Sequence, residues 1–524
     1  MSEGQEAVSR KALVRSGLLT VVPFVGVFVV FLILLQPIEL RGASDDVAHI
    51  APIMEMGKLA WLKMRATTWQ PRVLSDFAFA VLLFHLSLWK VLNAAVMATL
   101  LWIITRVAFF GAAGSQTIPS GQPVRQTRRF LVLAAFVCLG LFLIHPNVIT
   151  SGSVWFTGSF YYLWPTTAMF LGLTPFLLAL YGLRLPLPAL LTPACFMFSL
   201  CACQTEQAAA VQLGVSLLVL VRLAVKRARI PRVLIAQFAM ILLATAAFFY
   251  FDFTSTRVTA QPELSLFPEF ANFNLADKLM LGVNVYTTHL LHVSNILFTV
   301  FLAFAGWLAF RRARRPSTGG ERPCLVVSLL VFVPALWALV NTLPLPWGYT
   351  EMTYGALSHK PGALNFGHFG WLGYLYTTPP MANVPSVGGL VLSVVAIVCV
   401  LSPFYLLWQA FSDKRDRYLA AVLYLASLLS GILIGFSPSI WASESRPNYI
   451  SNFILLLLLA MLLRVEAPVA ASVLGGAGDP VTPASVDAGY SPTRLVALVL
   501  MFAFAVYVII LYFTTFATNT YWWY

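Results

Sequence analysis

A chain of 524 residues that is 59% hydrophobic and only 10% charged has too much apolar surface for a soluble fold to hide. Apolar runs of about 20 residues recur to the C-terminus, which predicts one polytopic α-helical membrane domain over 1–524 and excludes a barrel or a large soluble module. The net charge of +13 would suggest nucleic acid on a soluble protein; here the basic residues cluster between apolar runs, so the expected partner is the lipid bilayer and no nucleic acid.

In chain order, about thirteen runs predict transmembrane helices. The first, 16–36, follows Arg10, Lys11 and Arg15. It is too long for a removable signal peptide and no convincing cleavage site follows, so an uncleaved signal anchor is expected. The others are 87–110, 130–145, 160–182, 186–203, 207–224, 233–251, 290–310, 324–343, 387–411, 418–435, 450–464 and 494–516. If these alternate, the clusters Arg10/Lys11/Arg15, Arg125/Arg128/Arg129, "VKRARIPR" (225–232), "RRARR" (311–315) and "DKRDR" (413–417) share one side. The positive-inside rule makes that side cytoplasmic, with the N-terminus in and the C-terminus out. The outside segments, about 37–86, 146–159, 252–289, 344–386 and 436–449, are richer in aromatics, acids and histidine. Loops of that kind carry function more often than connectors do.

The first outside loop, 37–86, holds "LRGASDDVAHIAP". Asp45 and Asp46 point about 100° apart on a helix, so one can face a cavity while the other anchors the loop. His49 is within one helical turn of either. A helix cap would use only one of the two acids. The segment 47–65 is amphipathic, carries Lys58, Lys63 and Arg65, and predicts a helix lying in the outer interface. In "TTWQPRVLSDF" (67–77), Arg72 is either a phosphate ligand or a snorkelling side chain, with Asp76, four residues on, as its expected partner.

"SGSVWFTGSFYYLWPT" (151–166) mixes glycines, hydroxyl residues and aromatics at an outside span entrance. Trp155 and Tyr162 there are candidates to stack on a sugar ring; an interfacial aromatic belt is the plainer explanation. Glu206 in "CQTEQ" is the only acid between Asp76 and Asp252, and a lone carboxylate near a membrane is a functional candidate or a helix cap. In "SIWASESRPNYISN" (439–452), Glu444 and Arg446 are either an intraloop pair or, for Arg446, a phosphate ligand. His289, His292, His359 and His368 lack metal spacing. Cys138, Cys195, Cys201, Cys203, Cys324 and Cys399 fall mostly in or beside apolar runs, so neither a metal site nor a disulfide framework is expected.

The order Asp-Asp, interfacial helix, "TWQPR", "WFTGSFYYLWP" and "TEQ" after a first span resembles the Gtr-type bacterial membrane glycosyltransferases of the GT-C class, in the branch with a "W-x-G-R" motif and a "W-x-T-G-S-x-x-Y-x-W" motif. The resemblance covers the first 210 residues by motif and the remainder by hydropathy. Pro71 stands where the family has Gly before the arginine. The resemblance implies a GT-C-like fold with interfacial helices in the first outside loop. It implies a hexosyl- or pentosyltransferase that takes sugar from a polyprenyl-phosphate donor to a glycan or lipid-linked glycan acceptor. Its site would face the exterior of a bacterial cytoplasmic membrane. It also implies a catalytic carboxylate in the first outside loop, at Asp45 or Asp46. On this basis Asp45 is the expected base, Asp46 orients the loop or a substrate hydroxyl, His49 assists, and Arg446 and Arg72 hold the phosphate. Glu206, Glu444, Trp155 and Tyr162 complete the substrate-binding set. No cofactor is obligatory, and a divalent metal is not demanded by the chemistry. A transporter or flippase of a lipid-linked sugar is the alternative.

Overall fold

The computed structural model describes residues 20–40, 45–113, 123–183, 188–254, 270, 273–290, 295–313, 387–437 and 446–474. Every regular element among them is a helix. Seven of these helices are long and apolar enough to cross a bilayer: Leu86–Phe110, Gln126–Leu143, Phe156–Tyr181, Glu206–Val225, Arg232–Phe251, Lys414–Phe436 and Arg446–Arg464. Each coincides with a predicted run. The runs at 16–36, 186–203 and 290–310 contain the shorter apolar helices Val22–Leu35, Ala189–Ala202 and Ile296–Arg311. The run at 387–411 is a helix of 24 residues, Val387–Ala410. The predicted spans at 324–343 and 494–516 lie outside the described residues, as do Glu444, His292, His359 and His368.

The Arg446–Arg464 helix is the axis of the bundle, with 89% of its apolar window buried against 28% for Arg232–Phe251. Its sequence "YISNFILLLLLAMLLR" has no polar stripe beyond its first turn, which suits a helix surrounded on all sides. Elsewhere, small and polar side chains join helices. A Cβ at Gly172 would stand 2.6 Å from Ser199 Oγ and 3.1 Å from its backbone. The helices Trp164–Tyr181 and Pro188–Ala202 therefore meet almost backbone to backbone. Gln237 donates to Gly172 O at 2.8 Å and to Ser199 Oγ at 2.9 Å, tying in a third helix.

The two ends of the bundle gather different residues. At one end Arg464 pairs with Asp416 and donates to Ala108 O at 2.7 Å. Tyr181 donates to the same Asp416 at 2.6 Å, and Arg415 donates to Tyr181 O at 2.6 Å. Four helix termini that the alternating layout puts on the basic side thus meet there. The other end carries the first loop, residues 150–163, Glu206 and Arg446.

The single interfacial helix expected over 47–65 is instead three short ones, Asp45–Ala48, Ile50–Met56 and Lys58–Thr68. Gly57 makes the break between the last two with φ +80° and ψ 157°, a combination open essentially to glycine alone.

Candidate functional site

The segment between Pro146 and Trp164 organises the end of the bundle that holds the sequence-predicted residues. It winds as two five-residue π-helical turns, Thr150–Val154 and Ser159–Leu163, on either side of the short helix Phe156–Gly158. Such wide turns are uncommon and recur at functional sites. The glycines permit this winding by close approach. A Cβ at Gly158 would lie 1.9 Å from Ser151 O, and one at Gly152 2.3 Å from the Tyr449 ring. Gly158→Ala is therefore expected to destabilise the protein by about 1–3 kcal/mol through overpacking, read as a lowered Tm in detergent; Gly26→Ala, where nothing stands within 4 Å, serves as the control.

The helix Leu86–Ala113 clamps this segment from outside. Trp89 Nε1 donates to Ser159 Oγ at 3.0 Å. Asn93 donates to Ser153 O at 2.6 Å and accepts from Trp164 Nε1 at 3.0 Å. Asn93 is a polar residue inside an apolar run, a signal the sequence offered; Trp89 carried no such mark.

The two first-loop aspartates have different surroundings. Asp45 is exposed at the start of its helix. Asp46 is fully buried and its Oδ1 accepts from the Thr157 backbone N–H at 3.0 Å and from the Thr157 hydroxyl. Asp46 thus caps the Phe156–Gly158 turn and fastens the first loop to it. That geometry suits positioning, and it leaves Asp45 as the carboxylate able to meet a substrate.

Among the described residues, His49 packs in an aromatic setting rather than hydrogen-bonding either aspartate. Its ring packs edge-on against Trp61 and Phe79, at centroid distances of 5.3 Å and 5.6 Å. Burial, with help from the Arg65 charge and against the pull of Asp45, lowers its pKa to about 4, so His49 is neutral at pH 7. The unfolded chain takes up a proton there below about pH 6.5, while the folded chain resists until about 4. The resulting stability is complete above 6.5 and is lost as pH falls through that window. The Tm of the wild type is expected to fall more steeply between pH 7 and 4.5 than that of His49→Phe.

The side chains of Arg72 and Asp76 do not form the expected ion pair, among the described residues, although each still feels the other's charge. Arg72 Nη2 bonds both oxygens of Glu206, at 3.0 Å and 3.3 Å, and Gln70 donates to Glu206 Oε1 at 2.8 Å. The Arg72 guanidinium also lies 4.8 Å from the Tyr161 ring centroid. Asp76 instead sits 3.5 Å from Arg65 Nε and accepts from Tyr161 OH at 2.7 Å. Burial pushes the Asp76 carboxyl up, opposed by Arg65, the Tyr161 hydrogen bond and Arg72. For Arg72, burial acts downward, but Glu206, Tyr161, Tyr162 and Asp76 outweigh it and leave the pKa raised. The guanidinium expected to hold phosphate is therefore already engaged by a carboxylate. Gln70 and Tyr161 join this network without any mark in the sequence, and Arg65, expected only as a charge on the interfacial helix, joins it too.

Arg446 is partly exposed at the start of the axial helix, with its guanidinium 4.8 Å from the Trp155 ring centroid. Trp155 lies two residues before Thr157, which holds Asp46. Tyr162 faces Tyr449 at 6.3 Å between ring centroids, and Tyr449 OH bonds Ser153 Oγ at 2.5 Å. The structure thus joins Asp46, Trp155, Tyr162 and Arg446 through one segment and places Arg72 and Glu206 beside it through Tyr161 and Tyr162. Among the described residues, no three His, Cys, Asp or Glu side chains gather as metal ligands. Comparison of the chain with protein-family models, curated proteins and solved structures gives no match.

Proposed function

We propose that the protein is a membrane glycosyltransferase that moves a sugar from a polyprenyl-phosphate donor to a hydroxyl of a cell-envelope glycan, at the outer face of a bacterial cytoplasmic membrane. One observation supports this above the others: the segment 150–163 brings an aspartate-bearing loop and an aromatic-stacked arginine to the same end of a membrane bundle. A donor anchored in lipid keeps its reacting carbon at the interface, where these groups lie. The half-buried face of Tyr162 suits a sugar ring; Trp155 is buried and its ring backs the Arg446 guanidinium instead.

In this reading the Asp45 carboxylate takes the proton of the acceptor hydroxyl as its oxygen attacks the anomeric carbon. The bond from that carbon to the phosphate oxygen breaks, and its electron pair stays on the phosphate. Arg446, at the positive end of the axial helix, meets the charge that grows there. Attack opposite the phosphate inverts the anomeric centre. Asp46 holds the loop, and the Arg72–Glu206 pair braces the wall beside Tyr161.

A transferase and a flippase are separated in detergent, where no leaflets exist. Purified protein is incubated with labelled polyprenyl-phosphate hexoses and pentoses and with short glycan acceptors. The transferase reading expects label on the acceptor and free polyprenyl phosphate in equal amounts; intact donor with every pair tried would contradict it.

A further inference from the structure

The end of the bundle where Arg464 meets Asp416 also carries an outward surface that none of the roles above uses. The helices Glu206–Val225 and Lys414–Phe436 pack side by side. Tyr418 OH donates to Leu218 O at 2.6 Å, and the Arg222 guanidinium lies 5.0 Å from the Tyr418 ring centroid. The end of one helix thus meets the start of the other, and each turns a stripe outward from that contact. Leu217, Val221 and Val225 are exposed on the first helix, Leu425 and Leu429 on the second. A Cβ at Gly214, about 12 Å along the axis from Arg222, would meet nothing within 4 Å, so the outward face is open there.

The apolar stripes end in a basic rim. Arg222 is half-buried, and Lys226, Arg227 and Arg229 in the following turn are exposed. Among the described residues none of the four is in an ion pair. The acids at the start of the second helix are committed: Asp413 accepts from the Arg415 N–H at 2.7 Å, and Asp416 pairs with Arg464. The turn itself is unusual. Arg227 has φ +51° and is, among the described residues, the one non-glycine residue with a positive φ. Its N–H bonds Ala224 O and the next N–H bonds Leu223 O, both at 2.9 Å, which is the helix-ending turn that glycine normally makes. A side chain kept there against its backbone preference suggests that the charge has a use.

The surroundings narrow that use. In a bilayer, acyl chains cover the exposed stripes, so the headgroup of the covering lipid lies at the height of Arg222 and the rim. A phosphate there suits the guanidinium fork, and a headgroup with net negative charge gains over a zwitterionic one by about 5-fold for each nearby Lys or Arg. A soluble acidic peptide would use the rim and leave the stripes to lipid. We infer that Arg222, Lys226, Arg227 and Arg229 select an anionic phospholipid whose acyl chains lie along the outward stripes of these two helices. The selection holds whether the far end of the bundle transfers a sugar or flips a lipid.

The test titrates purified full-length protein in neutral detergent with phosphatidylglycerol and with phosphatidylcholine of the same chains, and counts bound lipid by native mass spectrometry. The wild type is expected to prefer phosphatidylglycerol by about 10-fold or more, and Arg222→Gln with Lys226→Gln and Arg227→Gly by about 2-fold or less. Arg227→Gly alone is expected to weaken the preference while its lipid-free Tm holds or rises, because glycine accepts the positive φ; a role confined to ending the helix would leave the preference unchanged. Lys58→Gln with Lys63→Gln, exposed in the first loop at the other end, is expected to keep the wild-type preference. Equal binding of the two lipids by the wild type, an unchanged preference in the triple variant, or an equal loss in the first-loop variant would each overturn the site. Decaglutamate that displaces phosphatidylglycerol and binds more tightly would overturn it too, and would assign the rim to a soluble acidic partner.

Discussion

Asp45→Asn is expected to lower the rate of sugar transfer by about 10²–10⁴-fold while leaving donor affinity within a few-fold of the wild type. The magnitude is that of a lost general base. The selectivity follows from the exposed position of Asp45, which among the described residues makes no contact of the kind Asp46 makes with Thr157. Single-turnover transfer, with donor binding measured separately, checks it. Asp46→Asn gives a different pattern. It keeps an oxygen for the Thr157 N–H but weakens a charge-assisted bond, so it is expected to lower stability and rate together. A wild-type rate for Asp45→Asn would remove the assigned base.

Arg464→Met is expected to destabilise the protein by about 3–5 kcal/mol, the range for breaking a buried ion pair by removing one partner. Both side chains are 8% exposed. Among the described residues Asp416 would keep Tyr181 as its side-chain partner, and Ala108 O would lose its side-chain donor. The effect is read as a lowered Tm and a lower yield of folded protein in detergent. Removing both charges, as Asp416→Leu with Arg464→Met, is expected to recover part of the loss, because no uncompensated charge remains. The pair lies at the end of the bundle away from Asp45, so a folded fraction of Arg464→Met is expected to retain its turnover rate per molecule.

Much of the fold was legible in the sequence because apolar length is a direct requirement of the bilayer. The runs at 87–110 and 207–224 became the helices Leu86–Phe110 and Glu206–Val225 almost residue for residue. The segment after Asp46 was legible as helical but not in its breaks. Gly57 was visible as a breaker, yet the amphipathic pattern suggested that the helix ran through it. The motif around Trp155 was legible as unusual because it mixes glycine and hydroxyl residues with aromatics. Its winding was not, since the clamps come from Trp89, Asn93 and Tyr449, distant in sequence.

The pairing of Arg72 failed for a local reason. The spacing to Asp76 suggested one helical turn, and the Asp76 N–H does bond Arg72 O at 2.8 Å, but Arg72 caps the helix Val73–Leu82 from outside its helical residues, with ψ 45°, and its guanidinium goes elsewhere. Glu206, 134 positions away, takes it. The buried cluster of Asn295, Asn448 and Asn452 around His289 was hidden for a related reason. Asn448 and Asn452 stand one turn apart and are visible as polar residues entering an apolar run, but Asn295 and His289 reach them only through tertiary packing.

The most direct measurement uses proteoliposomes loaded with labelled polyprenyl-phosphate sugar and supplied outside with a membrane-impermeant glycan acceptor. The account predicts labelled acceptor and free polyprenyl phosphate appearing one for one, with Asp45→Asn slowing both equally. Donor that crosses between leaflets intact, at the same rate in the wild type and in Asp45→Asn and with no sugar on the acceptor, would contradict it.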